Sequence, residues 1–140
     1  LVAVADRESR FRACLAPVND PYHHVFVDCP PSHGLLTVHA LAGSDSVLLP
    51  LQCEYRAREG LSSLMSAISL VQAHLNPELR IEGVLLTMFD ARLNLSQQVA
   101  EEARKFFSER AYRTAIRRNV RLSEAPAFGK PIKRDPLAQP

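Results

Sequence analysis

Three short apolar runs punctuate the chain: HVFVD at 24–28, SVLLPL at 46–51 and IEGVLLTMF at 81–89. None alternates strictly between apolar and polar residues, the mark of a strand with one wet face, so each reads as a strand covered on both sides. Between them the period lengthens. GLLTVHALA at 34–42 fits a short helix. Leu61, Leu64, Met65, Ile68, Val71 and Leu75 recur at three- and four-residue steps and give a helix over 59–75 one apolar stripe. Asn76-Pro77 stops that helix, because a residue before proline is driven out of helical geometry. Leu95, Val99, Ala103 and Phe106/Phe107 trace a second stripe over 94–109, with Asn94 and Gln97 at capping-box spacing and Glu101 and Lys105 an i,i+4 pair. AYRTAI at 111–116 reads as a further strand, 121–131 as a loop with one helical turn, and 133–140 as a weakly structured tail. Alternating strands and helices predict an α/β fold with a parallel sheet and right-handed crossovers, the runs at 24–28, 46–51 and 81–88 lying side by side.

Composition narrows the class without changing this picture. The 140 residues suffice for a single domain, 1–140, with a real core. No apolar run approaches the length of a membrane span. The opening LVAVADRESR places charges where the apolar core of a signal peptide would continue, and it lacks an initial Met, which suggests a piece of a longer chain. Cys14, Cys29 and Cys53 form no C-x-x-C, so zinc and dithiol chemistry are disfavoured and a reducing cytoplasm is expected. A metal site from Cys29, His33 and His39 matches no standard ligand spacing.

Net charge is only +2, but it is unevenly placed. Residues 104–134 hold ten basic and two acidic residues, a net +8, while 1–103 hold seven basic and twelve acidic, a net −5. Such asymmetry fits an acidic partner near the C-terminal end; a solvated basic face fits it as well.

The run VFVDCPP ends abruptly in an acid and two prolines. Ligands of open α/β sheets sit beyond the carboxyl ends of the strands. Asp28 at such an end can hold Mg²⁺, usually through water, beside a nucleotide phosphate, or it can simply cap the next helix. Pro30 and Pro31 have no N–H and a fixed φ, so they stop the strand and stiffen the turn that follows.

The blocks VFVDCPPSHGLLTVHAL, DSVLLPLQCEYRAREGLSSL, IEGVLLTMFDARLNLSQQVAEEARKFF and RNVRLSEAPAFGKPI stand in order across residues 7–132. Together they resemble the ParA/Soj family of chromosome and plasmid partition ATPases, deviant-Walker-A P-loop proteins related to the septum-site protein MinD. The resemblance implies a doubly wound, P-loop NTPase-like sheet, incomplete here because the N-terminal P-loop strand and helix are absent. Gly34, Gly43, Gly60, Gly83 and Gly129 form no G-x-x-x-x-G-K-[ST] cradle, so the chain alone is expected to bind ATP poorly and not to hydrolyse it. An apolar sheet edge or face should stand exposed where those strands belong.

The resemblance further implies that Asp28 is the Walker B acid associated with Mg²⁺. Arg117 would stand near the adenine, where the family carries proline. Arg92 and Arg121 match the family positions that bind DNA without sequence preference; as ordinary surface residues they would pair with Asp90 and Glu124 instead. Asp90 also reads as a turn or cap residue. The family departs from this chain at three further positions, with Leu at His33, Asn at His39 and a second Tyr at Arg56. The implied partners are ATP and Mg²⁺ in the full-length protein, a second copy in the ATP-bound dimer, non-specific DNA and a ParB-type protein, in a cytoplasmic, nucleoid-associated setting without a membrane. The alternative is a degenerate, non-catalytic DNA- or protein-binding module. A MinD-like membrane attachment would need a C-terminal amphipathic helix, and PIKRDPLAQP contains none.

Overall fold

In a computed structural model, which describes residues 7–19, 21–30, 34–54 and 57–129, the predicted alternation becomes a three-stranded parallel sheet. The elements are α1 (Arg7–Asn19), α2 (Leu35–Gly43), β1 (Ser46–Gln52), α3 (Ala57–His74), β2 (Arg80–Phe89), α4 (Asn94–Phe107), β3 (Ala111–Arg117) and α5 (Val120–Glu124). One 3₁₀ turn at Ser108–Arg110 leads into β3 and another at Ala125–Phe128 follows α5. Strand order in space repeats strand order in the chain, β1-β2-β3. β1 pairs continuously with β2 apart from one register shift after Val47, whereas β2 meets β3 in an interrupted register at Val84 and Ala111, Leu86 and Ala115, and Phe89 and Arg117.

One cluster forms the core. Leu41 of α2, Ile68 and Val71 of α3, and Ala100, Ala103 and Phe107 of α4 close over Leu49, Leu51, Val84 and Leu86 of the sheet. Because side chains alternate along a strand, the intervening positions face the other way. Leu48, Pro50, Tyr112 and Ile116 stand exposed there, so the expected open apolar sheet face is present among the described residues. Gly83 lets Tyr112 lie across the sheet: an added Cβ would come within 2.7 Å of the Tyr112 ring and 2.9 Å of the Arg110 carbonyl.

Three expectations need correction. Residues 24–28 are not a strand; Val25, Phe26 and Val27 are all exposed, Phe26 at 84%. A strand exists only when its N–H and C=O groups find a neighbouring ladder, and among the described residues none runs beside this segment. Asn94 and Gln97 form no capping box. Leu93 is the N-cap, and the Gln97 amide donates instead to the Ala91 carbonyl at 2.6 Å. The inward face of α4 is Ser96, Ala100, Ala103 and Phe107, so Leu95 and Phe106 of the predicted stripe point outward. α1 carries no apolar period that would have announced it and packs through Phe11 against Gly43 of α2. The tail at 133–140, His33, Arg56, Lys130, Lys133 and Arg134 lie outside the described residues.

The predicted helix stop at Asn76 has a second role. Its buried side-chain amide donates to the carbonyls of Leu41 (3.1 Å) and Ser44 (2.8 Å), while its own carbonyl accepts the Leu79 N–H. It thereby joins the exit of α3 to the turn between α2 and β1. Asn76→Ala leaves these acceptors without their donor and should destabilise the chain by about 2 kcal/mol, read as a lower urea midpoint at unchanged slope.

Candidate functional site

The carboxyl ends of β1, β2 and β3 and the start of α5 lie at one edge of the sheet, where ligands of parallel sheets bind. At that edge β2 bends: Met88 has φ 53°, a left-handed conformation that side chains other than glycine adopt at a cost, and the ladder to β3 is irregular between Leu86 and Phe89. The Arg118 N–H still reaches the Phe89 carbonyl at 3.1 Å, keeping the two strand ends together. Met88, Asp90, Arg92, Arg118, Asn119 and Val120 line an open cleft of about 340 Å³.

The loop from β2 to α4 is tightly ordered by polar contacts. The Asp90 N–H donates to the buried Ser96 hydroxyl at 3.0 Å. Asp90 Oδ1 accepts the Arg92 N–H at 3.0 Å, closing an Asx turn. The guanidinium then folds back: Nε donates to Oδ1 at 3.0 Å and Nη2 to Oδ2 at 2.8 Å. This two-point contact, followed by the backbone N–H, holds the Asp90 carboxyl down at about 2 and raises the Arg92 pKa. The Arg92 side chain is nonetheless 88% exposed. Asn119 plays the equivalent part for α5, its Oδ1 accepting the Arg121 N–H at 2.9 Å. Arg118 approaches Glu54, just past β1, at 3.6 Å.

Of the residues singled out from sequence, the structure thus gathers Arg92, Arg117 and Arg121 around one edge, Arg117 opposite Phe89 in the ladder and all three exposed. Asp28 sits in the exposed, irregular segment 21–30 rather than at a strand end. Its neighbour Cys29 has a raised thiol pKa, from partial desolvation first and the Asp28 charge second. The trio Cys29, His33 and His39, disfavoured by its spacing, falls partly outside the described residues, because His33 lies outside them. His39 is half-buried on α2, its Nε2 enclosed without a hydrogen-bond partner among the described residues. Of the stretch 116–119 that the resemblance places near the adenine, Arg118 and Asn119 rather than Arg117 line the cleft, and sequence reasoning missed Ser96 as the anchor of the Asp90 turn. Only the short spacing from strand end to helix start hinted at such an anchor.

Asp90 offers a direct check on this geometry. Its carboxyl titrates below its ordinary 3.8, so the contact adds stability above that pH and loses it as pH falls towards about 2. Carboxyl-carbon NMR should give a midpoint near 2, and Arg92→Ala should return it towards 3.8. A native midpoint already near 3.8 would show that the fork is not held in solution.

A family model described as an AAA domain matches residues 1–81. The chain is 58% identical over 132 residues to the sporulation initiation inhibitor protein Soj of Bacillus subtilis, covering 94% of this chain and 52% of that protein. It is 55% identical to the chromosome partitioning protein ParA of Myxococcus xanthus, covering 94% of this chain and 47% of that one. Among solved structures, a cobyrinic acid a,c-diamide synthase from Mycobacterium smegmatis with bound ATP analogue and magnesium superimposes with a TM-score of 0.75 at 33% identity, over 85% of this chain and 47% of its own. The fold is therefore of the P-loop NTPase-like α/β kind, and the chain spans about half the length of the curated relatives it matches. It belongs to the AAA-domain family and, within it, to the ParA/Soj-type partition proteins.

Proposed function

We propose that this region serves in a partition ATPase. In the complete protein ATP binding joins two copies, the dimer holds DNA without regard to sequence, and a ParB-type partner stimulates hydrolysis and release, so that chromosomes or plasmids segregate. It would act in the cytoplasm, on the nucleoid. The observation that carries this reading is the 58% identity with Soj across 94% of the chain.

The nucleotide assignment is supported at two ends. The exposed carboxylate of Asp28, in the VFVD stretch, is open to an ion held through water. Beside the Asp90–Arg92 pair at its rim, the cleft between β2 and α5 combines the apolar side chains of Met88 and Val120 with the polar groups of Asn119 and Arg118, which can face a purine. Arg117, in place of the family's proline, adjoins that cleft in sequence and brings a charge where packing against a base is expected. The phosphate cradle is not among these residues, since no glycine pair stands in a G-x-x-x-x-G-K-[ST] pattern. Phosphoryl transfer rests mainly on positioning and charge stabilisation, so Asp28 can contribute only where a cradle fixes the phosphates.

The DNA assignment is supported by exposure and charge. Arg92 stands in the loop after β2 and Arg121 in the first turn of α5, rather than in a loop as expected; both are exposed, as are Arg117 and Arg118. Guanidinium contacts with phosphate need no base sequence and release counterions.

Two experiments test the reading. Residues 1–140 alone should show no ATP turnover, whereas a chain of the full length of its relatives carrying this region should turn over ATP. In that longer chain Asp28→Ala should lower the rate by about 100-fold, and wild-type turnover would remove the Walker B assignment. In the same protein with ATP, Arg92→Ala and Arg121→Ala should weaken binding alike for duplexes of unrelated sequence. Each should also flatten the log–log salt dependence, by up to about one unit per lost contact. Unchanged affinity and slope in both variants would return the arginines to the solvated surface.

A further inference from the structure

Arg92 is bound to a competitor before any nucleic acid arrives. Asp90 takes two donors of its guanidinium, Nε and Nη2, at 3.0 and 2.8 Å, the same kind of donor that a phosphate would use. An exposed ion pair between two mobile side chains would contribute little. This one differs because the carboxylate is fixed by the backbone. Oδ1 also accepts the Arg92 N–H, and the Asp90 N–H is anchored on the buried Ser96 hydroxyl. The acid therefore stays beside the arginine whether or not the pair is formed.

We infer that Asp90 is a built-in brake on DNA binding: a backbone-anchored carboxylate that neutralises Arg92 in the free protein and must give up its donors when a phosphate takes them. The inference rests on the DNA-binding role proposed for Arg92. It specifies how that contact is kept weak and reversible. With Asp90 present the pair carries no net charge, so the contact that Arg92 makes with a phosphate releases fewer counterions than it would from an unpaired guanidinium. Without the acid it contributes as a full cation. The Arg92 contacts that lower the carboxyl's pKa also keep it in its charged form at neutral pH. Arg118 has only a single, longer approach to Glu54, at 3.6 Å between two exposed side chains, and gains no comparable restraint.

The test is a cycle of Asp90→Asn and Arg92→Ala, singly and together, with Arg121→Ala as reference. All are made in a chain of the full length of its relatives and titrated with ATP and duplex DNA at several salt concentrations. Asparagine keeps the Oδ1 acceptor of the Asx turn, and thermal melts should confirm an unaltered fold. Asp90→Asn should tighten binding about three- to ten-fold at low salt and steepen the salt dependence towards one further unit. Arg92→Ala should cost more affinity in the Asp90→Asn background than in the native one. If Asp90→Asn leaves affinity unchanged or lowers it while Arg92→Ala and Arg121→Ala weaken binding, the brake is refuted and the DNA surface stands. If neither arginine variant changes DNA affinity, the surface itself is refuted and the brake with it.

Discussion

The hydrogen bond from the Asp90 N–H to the Ser96 hydroxyl, buried at 1% exposure, governs the carboxyl edge of the sheet. Ser96 lies in the first turn of α4, where a buried polar side chain is unwelcome unless it is bonded. Its hydroxyl also contacts the Cys53 thiol just past β1, opposing the rise in thiol pKa that burial causes. One side chain thus ties together the ends of β1 and β2 and the start of α4. The rotation of α4 follows from it. With Ser96 inward, Ala100, Ala103 and Phe107 face the sheet, and Leu95 is left outside. So does the position of Arg92, which an Asx turn projects from the anchored residue into solvent.

Two strained backbone positions frame this arrangement. Met88 bends the last residues of β2 towards the cleft, and Ser108, with φ 49° and ψ −120°, turns the chain from α4 into the short helix before β3. Both conformations suit glycine better than the residues present. Such strain persists only where the surroundings over-determine it. At Met88 the surroundings are its paired neighbours, Thr87 opposite Gln52 and Phe89 opposite Arg117. At Ser108 they include the Phe106–Phe107 edge-to-face pair, ring centroids 4.9 Å apart, one ring in the core and the other in water.

Most of the sheet was legible from pattern alone. β1 and β2 lie on continuous apolar runs, β3 on the mixed stretch AYRTAI, and α3 follows its stripe from Leu61 to Val71. Those signals are strong because burial on a fixed period leaves few alternatives. Two failures share one cause. Residues 24–28 have the composition of a buried strand, yet strand formation requires a neighbour, which composition cannot supply. Leu95 looked like a core residue because hydrophobicity was counted without the serine beside it, whose hydroxyl had a more demanding appointment. At the site, the arginines and Asp90 were visible as residue types at loop positions. Their mutual geometry was not, since an ion pair and a phosphate contact draw on the same residues.

The agreement between spatial and chain order in the sheet bears on how the structure is assembled and lost. Among the described residues each strand joins its neighbour across a single α-helix, so each loop closure there is of modest length. The seam between β1 and β2 carries the more regular pairing, and β3 is held by an interrupted register. Cooperativity should then grade along the chain. The arginine-bearing margin of β3 and α5 belongs to the part that opens most readily, while the seam beneath it endures.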